Sequence, residues 1–174
     1  MFRAIAALAL TSASALSATT LTSTAPWWER VTVTVTGDGK AQSCHYESSL
    51  QPNSAQSCEA DSSQAGVAKL TSSKDEYTRI TFERRFSPGA KPSAQTLQPG
   101  ETLLGGQVMA LAIDARGAVK NCRIVATTGA VSPQYGCDEV AAERFDASVS
   151  SSKSAPAREG YLSVIVYGHS EHVV

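Results

Sequence analysis

The chain has 174 residues, of which 42% are apolar, 6% aromatic and 18% charged, and 15 basic and 16 acidic groups leave a formal charge of −1. This composition supplies a core and excludes disorder throughout, while near-neutral charge without a basic cluster excludes a nucleic-acid partner. No apolar run reaches the roughly 20 residues of a spanning helix, which excludes a polytopic membrane protein.

At the N-terminus Arg3 precedes an apolar run from Ala4 to Leu10, and small residues follow through Ala15 and Ala18. The pattern predicts a signal peptide over residues 1–18, cut between Ala15 and Ala18. An uncleaved anchor reaching Trp27 and Trp28 is the alternative, but Ser and Thr dilute that span. Export places the four cysteines, Cys44, Cys58, Cys122 and Cys137, in an oxidising compartment.

Val31, Val33 and Val35 alternate with Thr and predict a half-buried strand, with Trp27 and Trp28 as the aromatic start of its core rather than a binding platform. Asp38-Gly39 is a turn dipeptide, and Gln42–Ser48 returns with Cys44 and Tyr46 on one face and His45 on the other. Pro52–Ala60 predicts a helix carrying Cys58, Asp61–Lys74 a polar surface stretch, and Tyr77, Ile80 and Phe82 a third strand. Arg84-Arg85 on that strand reads as solvated or edge-protecting charge. Residues 87–104, with Pro88, Pro92 and Pro99, read as a linker.

The plan then recurs. Met109, Leu111 and Ile113 stand 78 positions after Val31, Val33 and Val35; Gly117 and Cys122 follow Gly39 and Cys44 at the same spacing. Tyr161, Val164 and Val166 stand 84 positions after Tyr77, Ile80 and Phe82. Val119–Ala126 is the return strand, with Cys122 and Ile124 on one face. Ser132-Pro133 opens a helix ending near Phe145, its buried stripe formed by Cys137, Val140, Ala141 and Arg144, with Asp138 and Glu139 in the first turn. Ser148–Pro156 reads as a surface loop before the strand Gly160–Tyr167.

The expected fold is therefore α+β, with two tandem ββαβ units over residues 27–86 and 105–174. A helix packed across its own hairpin brings the sulfurs of each unit together, so the expected bridges are Cys44–Cys58 and Cys122–Cys137, worth about 3 kcal/mol each. A metal reading is weak, because no Cys-x-x-Cys spacing occurs and His45 faces away from Cys44.

The second unit, over about Gly105–Tyr167, resembles the C-terminal domain of the energy transducer TonB in its cysteine-containing versions. The residues that carry the resemblance are Asp114–Val119, the return strand Cys122–Gly129 and the helix end Ala141–Ala147. The resemblance implies a periplasmic ββαβ module that recruits an extended peptide along a sheet edge.

No catalytic set is expected. His45, His169 and His172 lack a nucleophile or ligand spacing around them, and no Gly-x-Ser-x-Gly elbow, phosphate loop or zincin motif occurs; Gly105-Gly106 reads as a strand-entry kink. The expectation is a noncatalytic periplasmic or secreted protein without cofactor or metal, binding an envelope protein or extended peptide by strand-edge addition. Two alternatives are a membrane-anchored transducer component that keeps its N-terminus, and a small secreted hydrolase using His45 or His169.

Overall fold

The computed structural model describes residues 25–36, 40–50, 56–58, 77–94, 96–146 and 157–170. The expected signal peptide, the Asp38-Gly39 turn, the start of the first helix, the loops at 61–74 and 148–156, and His172 lie outside these residues. The described chain is mostly one antiparallel sheet. Its strands are β1 (Trp27–Val35), β2 (Ala41–Ser48), β3 (Gln56–Ser57), β4 (Arg79–Pro88), β5 (Glu101–Ile113), β6 (Val119–Gly129) and β7 (Arg158–His169), and a short helix α1 (Cys137–Ala142) precedes β7. Their order across the sheet is β3-β2-β1-β4-β7-β5-β6.

Alternation builds this sheet as expected. Val33 and Val35 are buried on one face of β1, and Met109, Leu111 and Ile113 are buried on the corresponding face of β5. Val33 lies opposite Cys44, and Leu111 lies opposite Cys122. The spacing of 78 positions thus survives as cross-strand register in both hairpins. The spacing of 84 does not. β1 pairs Val31 with Phe82, whereas β5 pairs Met109 with Leu162, four residues before Val166. An even slip keeps the apolar residues on one face, so burial tolerates it.

The two halves do not stand apart. β4 pairs with β7 from Arg79 opposite His169 to Pro88 opposite Gly160, joining both hairpins into one sheet. Ser87 and Pro88 close β4 and Glu101–Leu104 open β5, which leaves residues 89–100 of the expected linker as the connection.

Among the described residues helix is scarcer than an α+β reading implies. In the first half Gln56–Ser57, inside the expected Pro52–Ala60 helix, is a strand opposite Tyr46 and His45. The Cys58 amide continues that ladder by donating to the Cys44 carbonyl at 3.2 Å, so the bridge between these residues closes a strand pair rather than a helix on a sheet. In the second half α1 ends at Ala142, and Glu143 is extended with φ −73° and ψ 159°. Of the expected stripe only Val140 is buried, while Ala141 and Arg144 are exposed. Arg144 forms a bridge with Ala118, and the Phe145 amide donates to the Gly117 carbonyl at 2.8 Å, which pulls the chain back to the hairpin turn before another helical turn can form.

One sheet face carries two apolar clusters. Trp27, Phe86, Met109, Leu111, Ile113 and Leu162 lie under Val140 and Phe145; Val33, Val35, Cys44, Tyr77, Ile80 and Val166 form the second. Phe86 joins the halves, with its ring 5.9 Å from Trp27 and 5.2 Å from Phe145.

Candidate functional site

The outer strand β6 pairs with β5 on one side and, among the described residues, with nothing on the other. Its 11 residues are mostly exposed, and Ile124, at its midpoint, is 51% exposed beside the fully buried Met109. A strand in this position presents a row of unpaired backbone N–H and C=O groups. Its ladder with β5 slips between Val108 and Met109 and again between Ala112 and Ile113, so β6 carries a bulge at Val125 and another at Lys120. Arg123 has no ion-pair partner among the described residues, and Lys120 lies 3.3 Å from Asp114.

The opposite rim is occupied only in part, by a strand of two residues. β3 lies against β2 at His45 and Tyr46, and the Cys44–Cys58 bridge pins it there. The third strands of the two halves, β4 and β7, pair with each other and have no free edge.

The β6 rim is braced from one face. The Cys122–Cys137 bridge fastens α1 to β6, with Cα atoms 5.5 Å apart. Gly117 closes the β5–β6 turn at φ +77°, and a Cβ there would strike the Phe145 backbone, so both conformation and space require glycine. Asp114 accepts from the Ala118 and Arg116 amides at 2.9 and 2.8 Å, and these bonds hold its carboxyl below the usual range. Glu139 accepts from the Gly136 amide at 2.7 Å and is depressed in the same way, as expected of a first-turn acid.

Behind this rim a polar row crosses the apolar face. Glu29 on β1 is the cross-strand partner of Arg84 on β4, and the apolar Val164 on β7 separates Arg84 from Gln107 on β5. Arg84 donates to Glu29 and, at 2.6 Å, to Glu143 just after α1, and its guanidinium lies 4.7 Å from the Tyr135 ring centre. Tyr46 donates to Glu29 at 2.9 Å, and Tyr135 donates to Glu143. Burial opposes the charge on Arg84, but Tyr135, Glu143 and Glu29 outweigh it and hold its pKa above the ordinary value. The expectation of a solvated Arg84 is therefore corrected: β4 is central, and its arginine ties α1 to the first half. Arg85 behaves differently, pointing to the other face, where it and Arg30 hold the buried Glu83 at 2.6 and 2.9 Å.

No family model, no curated protein and no solved structure matches the chain. The site is therefore read from its own geometry.

The remaining candidates do not converge. Trp27 enters the core as expected, whereas Trp28 lies under Arg30, 5.1 Å from its guanidinium. His45 points away from Cys44, half exposed and 3.5 Å from Glu47, and His169 ends β7 at the far side of the sheet. Among the described residues no three His, Cys, Asp or Glu side chains form a metal cage, and no helix is long and apolar enough to cross a membrane. Gly105 passes so close to the Val131 backbone that no side chain fits, but it lies inside β5, which opens at Glu101, so in place of the expected strand-entry kink there is a register slip between Leu103 and Gly105. Glu29, Tyr135 and Glu143 were not singled out from the sequence. Two disulfides point to an oxidising, non-cytoplasmic compartment.

Proposed function

We propose that this protein is a noncatalytic binding protein of the bacterial envelope, periplasmic or secreted after removal of residues 1–18. In this reading its halves are duplicated hairpin units, the second of them of the TonB C-terminal kind, and it binds an extended segment of an envelope protein as an added strand. The supporting observation is β6, a long outer strand with one side unpaired among the described residues, braced by Cys122–Cys137 and α1. Backbone pairing supplies affinity in such a mode, and alternate side chains supply selectivity.

The test is titration with a ten-residue peptide of alternating Thr and Val, followed by amide chemical shifts. The expected result is a shift confined to Val119–Gly129 and the facing residues of β5, abolished when alternate peptide amides are N-methylated. Equal binding of the methylated peptide, or shifts centred on another strand, would overturn the reading.

A further inference from the structure

The two faces of the sheet differ in chemistry along β6, and the difference specifies what can lie beside it. We propose that the segment added at β6 alternates apolar and acidic residues, with its apolar side chains on the helix-bearing face and its carboxylates on the opposite face. The proposal rests on the reading of β6 as an open edge and names the chemistry of its occupant.

Between the bulges at Lys120 and Val125, the residues Asn121, Cys122, Arg123 and Ile124 keep a one-for-one ladder with Ala112, Leu111, Ala110 and Met109. This regular stretch can take a further strand without a break in register. Leu111 and Met109 are buried beneath Val140 of α1, so Cys122 and Ile124 share that inner face, and Asn121 and Arg123 alternate onto the outer one. On the inner face Ile124 is 51% exposed, and an apolar side chain of the added strand would cover it. An acid there would instead approach Asp138 and Glu139, which are exposed on α1 where Cys137 fastens it to Cys122.

The outer face carries cations. β6 itself holds Lys120 and Arg123 and no acid. Arg123 is exposed and without an ion-pair partner among the described residues. The Ala118 carbonyl accepts from the Asp114 amide on the β5 side, so Arg144, bridged to Ala118, lies on the open side of the strand. Its neighbour Phe145 is buried inward, which turns Arg144 outward, exposed and likewise without an ion-pair partner among the described residues. Lys120 lies 3.3 Å from Asp114, whose other carboxylate oxygen accepts from the Arg116 and Ala118 amides. Glu159 on β7 stands beyond Ala112, two strands from Asn121 and about 10 Å away. A carboxylate placed across from Arg123, or diagonal to it, therefore gains a cross-strand ion pair, and a cation in the same place meets like charge. Backbone pairing is common to every extended partner, so the side-chain pairs set the choice among partners.

Titration of the full chain with three ten-residue peptides, in which Val alternates with Thr, Glu or Lys, tests this through amide shifts at about 0.02 M and about 0.5 M salt. At low salt the Glu/Val peptide should bind roughly three- to tenfold tighter than Thr/Val, with Lys/Val weakest. The differences should shrink at high salt, where the Debye length falls to about 4 Å. The Glu/Val peptide should also move the side-chain signals of the Arg123 Nε–H and the Ile124 methyls. Arg123→Gln should at least halve the Glu/Val advantage, Arg123→Glu should reverse the order of the Glu and Lys peptides, and Ile124→Ser should weaken all three. Thr/Val binding at β6 with no preference for Glu/Val, or a preference untouched by Arg123→Gln and Arg123→Glu, would overturn this proposal and leave the edge reading standing. If none of the three peptides shifts β6, the edge reading falls and the proposal falls with it.

Discussion

Arg84 shows how parity along a strand decides what a charge does. It shares the inward parity of Ile80, Phe82 and Phe86, just as Glu29 shares that of Val31, Val33 and Val35. Two opposite charges on the inward faces of apolar strands were therefore a readable signal for a buried pair, but only once β1 was known to neighbour β4. Replacing Arg84 with Met leaves Glu29 and Glu143 without their cation. The expected cost is about 3 kcal/mol in urea unfolding, near the low end for a broken buried pair because Arg84 keeps partial solvent contact. Glu83, 1% exposed, makes the complementary case on the other face. Burial raises its pKa, but hydrogen bonds from Arg85 and Arg30 outweigh burial and depress it. Its stabilisation is therefore complete above the unfolded carboxyl value of about 4.3 and drains away as pH falls below it. Urea midpoints of Glu83→Gln should consequently change less than those of the parent between about pH 5 and about pH 2. The same burial places Tyr167, 3.4 Å from Glu83, at a pKa pushed up to about 12, with Arg30 opposing the shift and Glu83 adding to it.

At the scale of elements, α1 is too short to hold itself. Six residues fall well below the length of a stable isolated helix, so its position depends on Val140, on Glu143 bound to Arg84, and on Cys122–Cys137. Changing both cysteines to Ala should cost about 3 kcal/mol, as expected for a loop of this length, and should accelerate amide exchange in Cys137–Ala142 more than in β1. Gly117→Ala should lower stability by more than about 1 kcal/mol, because it combines a left-handed backbone with a collision at Phe145; circular dichroism melts read this. The hairpins were legible from alternation, and both bridges from the repeated spacing of the cysteines. The first helix was not. Pro and Ser open helices and loops alike, and only the return of Gln56–Ser57 to β2 distinguishes the two.

At the scale of the molecule, the β4·β7 junction makes one cooperative body of what reads as two. Tryptophan fluorescence reports on β1, and amide exchange in α1 reports on the second half; the two should unfold at the same urea concentration. Phe86→Ala should lower both midpoints together, at about 3–4 kcal/mol, because that ring packs on Trp27 in one half and Phe145 in the other. Separate transitions would show that the halves are independent. The sequence by itself determined the inward apolar residues of β1 and β5, the two bridges and the recurrence of a hairpin plan, because each depends on periodicity or spacing within a few dozen residues. Tertiary structure alone decided that the third strands pair with each other, that Arg84 lies inside the protein, and that β6 is left as the open rim. Those outcomes depend on which strands become neighbours, and backbone hydrogen bonding between strands carries no residue-specific mark that a linear pattern displays.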